Sequence, residues 1–154
     1  MKIIFLDIDG VLNSCSYDLC RGDDDGNIDK SRLPYLKELI AKTDAKIVLT
    51  SSWRSHWDPE EVYTDQIGAE LEACFSKHRI SLYGKTKEIN NDRASEIENW
   101  LSEHNDVESF VILDDIKLGW GALDPYVVKT DYRIGRGLEQ RHIDKATKIL
   151  TKAE

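Results

Sequence analysis

Short apolar runs of buried-strand length alternate along this chain with longer segments whose apolar residues recur at helical spacing, and this alternation restricts the fold more than any other feature. Ile3 to Asp7, Lys46 to Thr50, Ile80 to Tyr83, Phe110 to Asp114 and Tyr126 to Lys129 are the candidate strands. Most are near-continuous apolar runs, as expected of strands covered on both faces. Between them Leu33, Leu36, Leu39 and Ile40 predict a helix from about Ser31 to Lys42, with Pro34 tolerated in its first turn. Ile67, Leu71 and Phe75 form a second stripe, Ala94, Ile97 and Leu101 a third, and Ile143, Ala146, Ile149 and Leu150 a fourth. The pattern predicts an α/β fold with a mainly parallel five-stranded sheet between helical layers. At 154 residues, a chain buries roughly 70% of its unfolded surface, so residues 1–154 suffice for one domain with a core that needs no staples.

Composition narrows the class. Lys plus Arg number 21 against 29 Asp plus Glu, a net charge of -8, with a sequence pI near 5.0. A protein that coats nucleic acid neutralises many phosphates and should be basic, so an extended nucleic-acid track is disfavoured, whereas contact with a single phosphate is not. The longest apolar runs are far short of a bilayer span, and no signal-peptide pattern opens the chain, which together predict a cytoplasmic protein without a membrane. Cys15, Cys20 and Cys74 are odd in number and lack a paired C-x-x-C spacing, so they read as plain thiols. The polar, acidic stretch from Asn13 to Lys30 fails as an EF-hand: with Gly26 at the glycine position, Arg21 and Arg32 fall where carboxylate ligands belong. It reads as a solvated loop.

The candidate chemistry sits where strands end. Asp7-Ile8-Asp9-Gly10-Val11-Leu12-Asn13 follows the first strand, and alternation puts Asp7 and Asp9 on one side while Gly10 permits a sharp turn. The second strand runs into Thr50-Ser51-Ser52-Trp53-Arg54, whose hydroxyls and guanidinium suit phosphate oxygens. The fourth ends in Asp114-Asp115, two more carboxylates whose mutual repulsion a divalent cation would relieve, and hard oxygen ligands fit magnesium best. Arg93 opens a helix, where its charge opposes the dipole and is better justified by an anionic partner, while Lys85 and Lys87 are further candidates in the same interval. In an open parallel sheet, ligands bind outside the carboxyl ends of the strands.

In this order, these residues resemble the haloacid dehalogenase superfamily of phosphohydrolases. Asp7 to Val11 match its D-x-D-G-[VT] loop, Ser51 its strand-end Ser/Thr, Arg93 its Lys/Arg, and Asp114 with Asp115 its acidic motif. Leu12-Asn13, Ser51 to Arg54, and Glu96-Ile97 with Trp100-Leu101 further resemble the subgroup associated with RNA-repair proteins. The resemblance implies a three-layer Rossmann-like fold, a magnesium-dependent phosphatase and an aspartyl-phosphate intermediate. It implies that Asp7 is the nucleophile and that Asp9 protonates the leaving oxygen, then deprotonates the attacking water. Asp7, Asp9 through its backbone carbonyl, Asp114 and Asp115 would hold Mg2+. Ser51 and Arg93 would bind the phosphoryl group, with Ser52 and Arg54 beside them. Thr50 or Ser52 for Ser51, and Lys87 for Arg93, remain open. A halide leaving group needs no proton, so Asp9 favours phosphate esters over carbon-halogen bonds.

No interval has room for a self-supporting cap, which would take about 50 residues. An open site favours a large phosphorylated substrate such as a nucleic-acid terminus, or a nucleotide. Trp53 and Trp57 flank His56 and could stack a nucleobase, although core packing is the commoner fate of tryptophan; Trp120 has the same two readings, and Trp100 belongs to a core stripe. The alternative function is a noncatalytic phosphate-binding or interaction domain of the same fold. Receiver domains carry similar residues, but their phosphorylated Asp comes from a middle strand, whereas here the paired Asp residues open the chain.

Overall fold

The computed structural model describes residues 1–60 and 65–152. Its elements are β1 (Lys2–Leu6), α1 (Cys15–Cys20), α2 (Leu33–Thr43), β2 (Lys46–Leu49), α3 (Gln66–Lys77), β3 (Leu82–Lys85), α4 (Arg93–Ser102), β4 (Ser109–Asp114), β5 (Val127–Lys129) and α5 (Gln140–Thr151). Short 3-10 turns at Lys30–Arg32, Ser52–His56 and Gly121–Tyr126 link them.

All five strands are parallel, in the order β3-β2-β1-β4-β5. This is the mixed α/β, Rossmann-like arrangement expected, and the apolar runs explain it. Alternate residues of β1 enter opposite layers: Ile4 and Leu6 pack with Leu33, Leu36 and Leu39 of α2, Leu71 and Phe75 of α3, and Ile143, Ala146 and Leu150 of α5. Ile3 and Phe5 pack with Ala94, Ile97 and Trp100 of α4 and with Trp120 and Leu123. The chain leaves β1 toward β2 on one side and returns to β4 on the other, so the order reverses at β1. Crevices at such reversal points are where open α/β sheets bind ligands.

Three details differ from the sequence expectations. The third strand is Leu82–Lys85 rather than Ile80 to Tyr83. Arg79 takes a left-handed conformation, φ 59°, and the Ile80 N–H closes the end of α3 on the Phe75 carbonyl at 2.8 Å, so the chain turns before it pairs. An irregular register between Ile47 and Val48 then seats Gly84 opposite Val48. The Asn13 to Lys30 stretch is not simply a solvated loop: it contains α1, whose Ser14 caps the helix by accepting from Tyr17 N–H at 3.2 Å, and it buries Asn13 and Ile28. The tryptophans at 53, 57 and 120 are all buried, Trp53 at 7% and Trp57 at 4% exposure, so their faces are core and not a stacking platform for a base. Among the described residues no second folded unit covers the strand ends, and no helix is long and apolar enough to cross a membrane.

Candidate active site

Asp7 continues the phase of Ile3 and Phe5 on the α4 side of the sheet, and Asp114 that of Phe110 and Ile112 on the neighbouring strand. Pairing of β1 with β4 therefore brings the two carboxylates together. Oxygen atoms of Asp7, Asp114 and Asp115 all lie within 4.8 Å of one another. Asp7 is 6% exposed and Asp114 is completely buried. Burial, followed by the charge of Asp114, pushes the Asp7 carboxyl well above the usual carboxylate range. Burial likewise raises Asp114, against the opposing pull of Arg93, and raises Asp115.

Arg93, the first residue of α4, provides the cation. Its Nη1 is 2.6 Å from Asp114 Oδ2 and 3.6 Å from Asp7 Oδ1. Backbone amides hold the two acids in orientation: Ile8 N–H donates to Asp7 Oδ1 at 2.9 Å and Ile116 N–H to Asp114 Oδ1 at 3.0 Å. Gly10 has φ 87°, and a Cβ built there would overlap the Asp115 side chain, so the turn after β1 requires glycine both for backbone conformation and for the approach of that carboxylate.

Asp9 is not among the three clustered carboxylates and is exposed. Its Oδ1 accepts from Asn13 Nδ2 at 2.9 Å and its Oδ2 from Trp53 Nε1 at 3.3 Å. Asn13 is buried, and its Oδ1 accepts from Gly10 N–H while its Nδ2 also donates to the Asn27 carbonyl.

At the end of β2, Ser51 is buried and its Oγ accepts from Trp53 N–H at 3.1 Å, which leaves its hydroxyl proton available. Thr50 Oγ1 is buried with no hydrogen-bond partner among the described residues, and Ser52 is exposed. Arg54 is turned inward: Nη1 donates to the Thr50 carbonyl at 2.6 Å, and Nη2 pairs with Glu96 at 2.8 Å. Lys85 donates to the carbonyls of Arg54 and Trp57 at 2.8 and 2.6 Å. Lys87 is at the surface, 3.7 Å from Glu103. The structure thus gathers Asp7, Arg93, Asp114 and Asp115, sets Asp9 and Ser51 beside them by strand connectivity, and places Lys87 elsewhere.

A family model described as the HAD domain in Swiss Army Knife RNA repair proteins matches residues 3–143. The chain belongs to this family. Comparison with curated proteins and with solved structures finds no match. Membership in the haloacid dehalogenase group supports a phosphohydrolase, and members of the group usually use a divalent metal. The carboxylates of this haloacid dehalogenase domain fit such an ion. Three acidic side chains converge around one arginine, their ionised forms are disfavoured by burial, and all donors are hard oxygens.

Glu96, Asn13 and Trp53, which the sequence singles out only for the subgroup resemblance or for base stacking, take positions in the site's geometry that it does not assign to them. Glu96 is 1% exposed and joins both arginines, with Oε2 on Arg54 and Oε1 3.7 Å from Arg93 Nε. Its signal was its place on the Ala94, Ile97 and Trp100 stripe, where an acid needs a partner. Asn13, three residues after Gly10, carried the spacing of a side-chain turn. The indole N–H of Trp53 had no local signal, because its partner Asp9 lies on another strand's loop.

Proposed function

We propose that this domain is a magnesium-dependent phosphatase that hydrolyses a phosphate monoester through an aspartyl-phosphate at Asp7, with a nucleic-acid end or a nucleotide as substrate. The observation that carries the reading is the convergence of Asp7, Asp114, Asp115 and Arg93 at the reversal point of the sheet. Mg2+ bound by Asp7, Asp114, Asp115 and the Asp9 backbone carbonyl would offset their repulsion and draw charge from the phosphoryl oxygens.

The Asp7 carboxylate attacks phosphorus in line, a new O–P bond forms, and the ester P–O bond breaks. Asp9 gives its proton to the departing alkoxide. It then takes a proton from the water that cleaves the aspartyl-phosphate, which returns Asp7 and releases inorganic phosphate. Arg93 and Ser51 hold the phosphoryl oxygens, with Thr50 and Ser52 as neighbouring hydroxyls, while Arg54 fixes the turn that presents them. The absence of a covering unit among the described residues favours a substrate as large as a strand end, and the net charge of -8 favours contact at its terminal phosphate alone. Three free thiols suit a reducing, cytoplasmic setting.

Release of phosphate from p-nitrophenyl phosphate and from 3′- and 5′-phosphorylated oligonucleotides tests the reading. Metal-dependent turnover is expected on at least one of them, and Asp7→Asn is expected to lower it about a thousandfold or more. Wild-type protein that releases no phosphate from any of them with magnesium present would overturn it.

A further inference from the structure

We propose that Trp53 and Asn13 are positioning residues that aim the carboxyl group of Asp9 at the leaving oxygen; this rests on the phosphatase reading above. Asp9 is exposed, and a short side chain without partners there would have several rotamers available. Two N–H donors restrain it, one on each oxygen: Asn13 Nδ2 at 2.9 Å and Trp53 Nε1 at 3.3 Å. Proton transfer needs heavy atoms within about 2.6–3.2 Å, so an acid free to swing loses most of its effect.

Both donors are themselves fixed. The Asn13 amide cannot flip, because its oxygen accepts from Gly10 N–H at 2.9 Å and its nitrogen also donates to the Asn27 carbonyl at 3.0 Å. Asn27 is tied in turn to Glu70 of α3, through its backbone N–H at 2.5 Å and its side-chain amide at 2.9 Å. The Trp53 ring is 7% exposed within the core, and its backbone N–H is capped by Ser51. One indole thereby joins the proposed acid to the hydroxyl turn that would grip the phosphoryl group. Each oxygen keeps a further lone pair, so one of them can carry the proton that is donated to the leaving oxygen, and the restraint leaves the proton transfer possible.

The leaving group supplies the test. A dinitrophenolate departs without a proton, whereas an alkoxide requires one, and kcat/KM reports the steps up to that departure. Trp53→Phe keeps an aromatic ring and deletes the N–H. It is expected to lose at least about tenfold more kcat/KM on an alkyl phosphate than on 2,4-dinitrophenyl phosphate, a fraction of the 10²–10⁴-fold that a general acid supplies. Asp9→Asn should show the same selectivity more strongly. Equal losses on both esters in Trp53→Phe, or no loss, with Asp9→Asn selective, would overturn the positioning role and leave the phosphatase reading standing. An Asp9→Asn variant that loses both esters equally would instead overturn the role of Asp9 itself. If Trp53→Phe does not fold, the indole N–H resonance of Trp53 decides. It is expected to move to higher field in Asp9→Ala, and an unmoved signal would overturn the proposal.

Discussion

Glu96 is a buried side chain that joins the arginine proposed to hold the phosphoryl group to the one proposed to fix the adjoining turn. It is the buried acid between Arg54 and Arg93, and it also accepts from Ile89 N–H at 3.0 Å. Glu96→Gln keeps the shape, removes the charge and leaves two partly buried guanidinium groups short of a partner. Loss of one member of such a set costs about 3 kcal/mol. Urea denaturation should show a loss of that order, with a higher KM for phosphorylated substrate as Arg93 swings. Gly10→Ala should be harsher still for activity, because both its φ and its contact with Asp115 forbid a Cβ. Circular dichroism with a phosphate-release assay would separate a lost site from a lost fold. At this scale the sequence was legible wherever chemistry and spacing coincided, as in Asp7, Asp114 and Arg93. It was silent where function depends on which way a side chain turns: Arg54 has the right charge at the right strand end, yet its guanidinium faces Glu96.

Elements were legible in proportion to their periodicity. The four helical stripes all correspond to helices, and β1, β2 and β4 lie within a residue of the expected limits at each end. The third strand was displaced because Ile80, apolar and buried, is used to close α3, and hydrophobicity alone cannot distinguish a strand residue from a helix-closing one. Helix α5 brings a pH dependence. Its start is a reciprocal cap: the Glu139 side chain accepts from the His142 backbone, and His142 Nδ1 accepts from Glu139 N–H at 2.9 Å. A proton on Nδ1 would oppose that amide, and His142 Nε2 is buried with no partner among the described residues. Burial first, then the nearby charge of Arg141, holds the His142 pKa down to about 4 from 6.5. The unfolded chain therefore binds the proton first, so stability is unaffected above about pH 6.5 and falls as the pH drops toward 4. The loss is of order 3 kcal/mol. Urea midpoints measured at pH 7 and pH 4.5 should diverge less in His142→Gln than in the native protein.

For the molecule as a whole, the acidic cluster sets stability against the activity proposed for it. Burial raises the affinity of Asp7, Asp114 and Asp115 for protons, and the charges of Asp114 and Asp115 raise that of Asp7 further, so the fold without a cation carries an electrostatic cost at its centre. With Mg2+ at about a hundred times its dissociation constant, binding to the folded state alone adds about 2.7 kcal/mol, or roughly 5–10 °C in Tm for a chain of this size. Thermal melts should show that shift and its reversal by EDTA. Asp115→Asn is expected to melt at or above the native temperature in EDTA and to lose most of the magnesium shift. The architecture was legible because parallel strands buried on both faces have a distinctive composition. The order of the strands was not, since nothing in an apolar run says which neighbour it will choose.

That order also dictates when the protein can first work. β1 pairs Ile3 with Lys46 on one edge and Lys2 with Ser109 on the other, so its second partner is made long after its first. On a ribosome Asp7 emerges before Asp114, and the strand that carries it can dock on β2 while β4 is still unmade. Asp114 and Asp115 complete the constellation only after β2, α3, β3 and α4 have been synthesised. Loop closure over that distance makes the last pairing the slow one, and refolding should restore helical signal before it restores turnover.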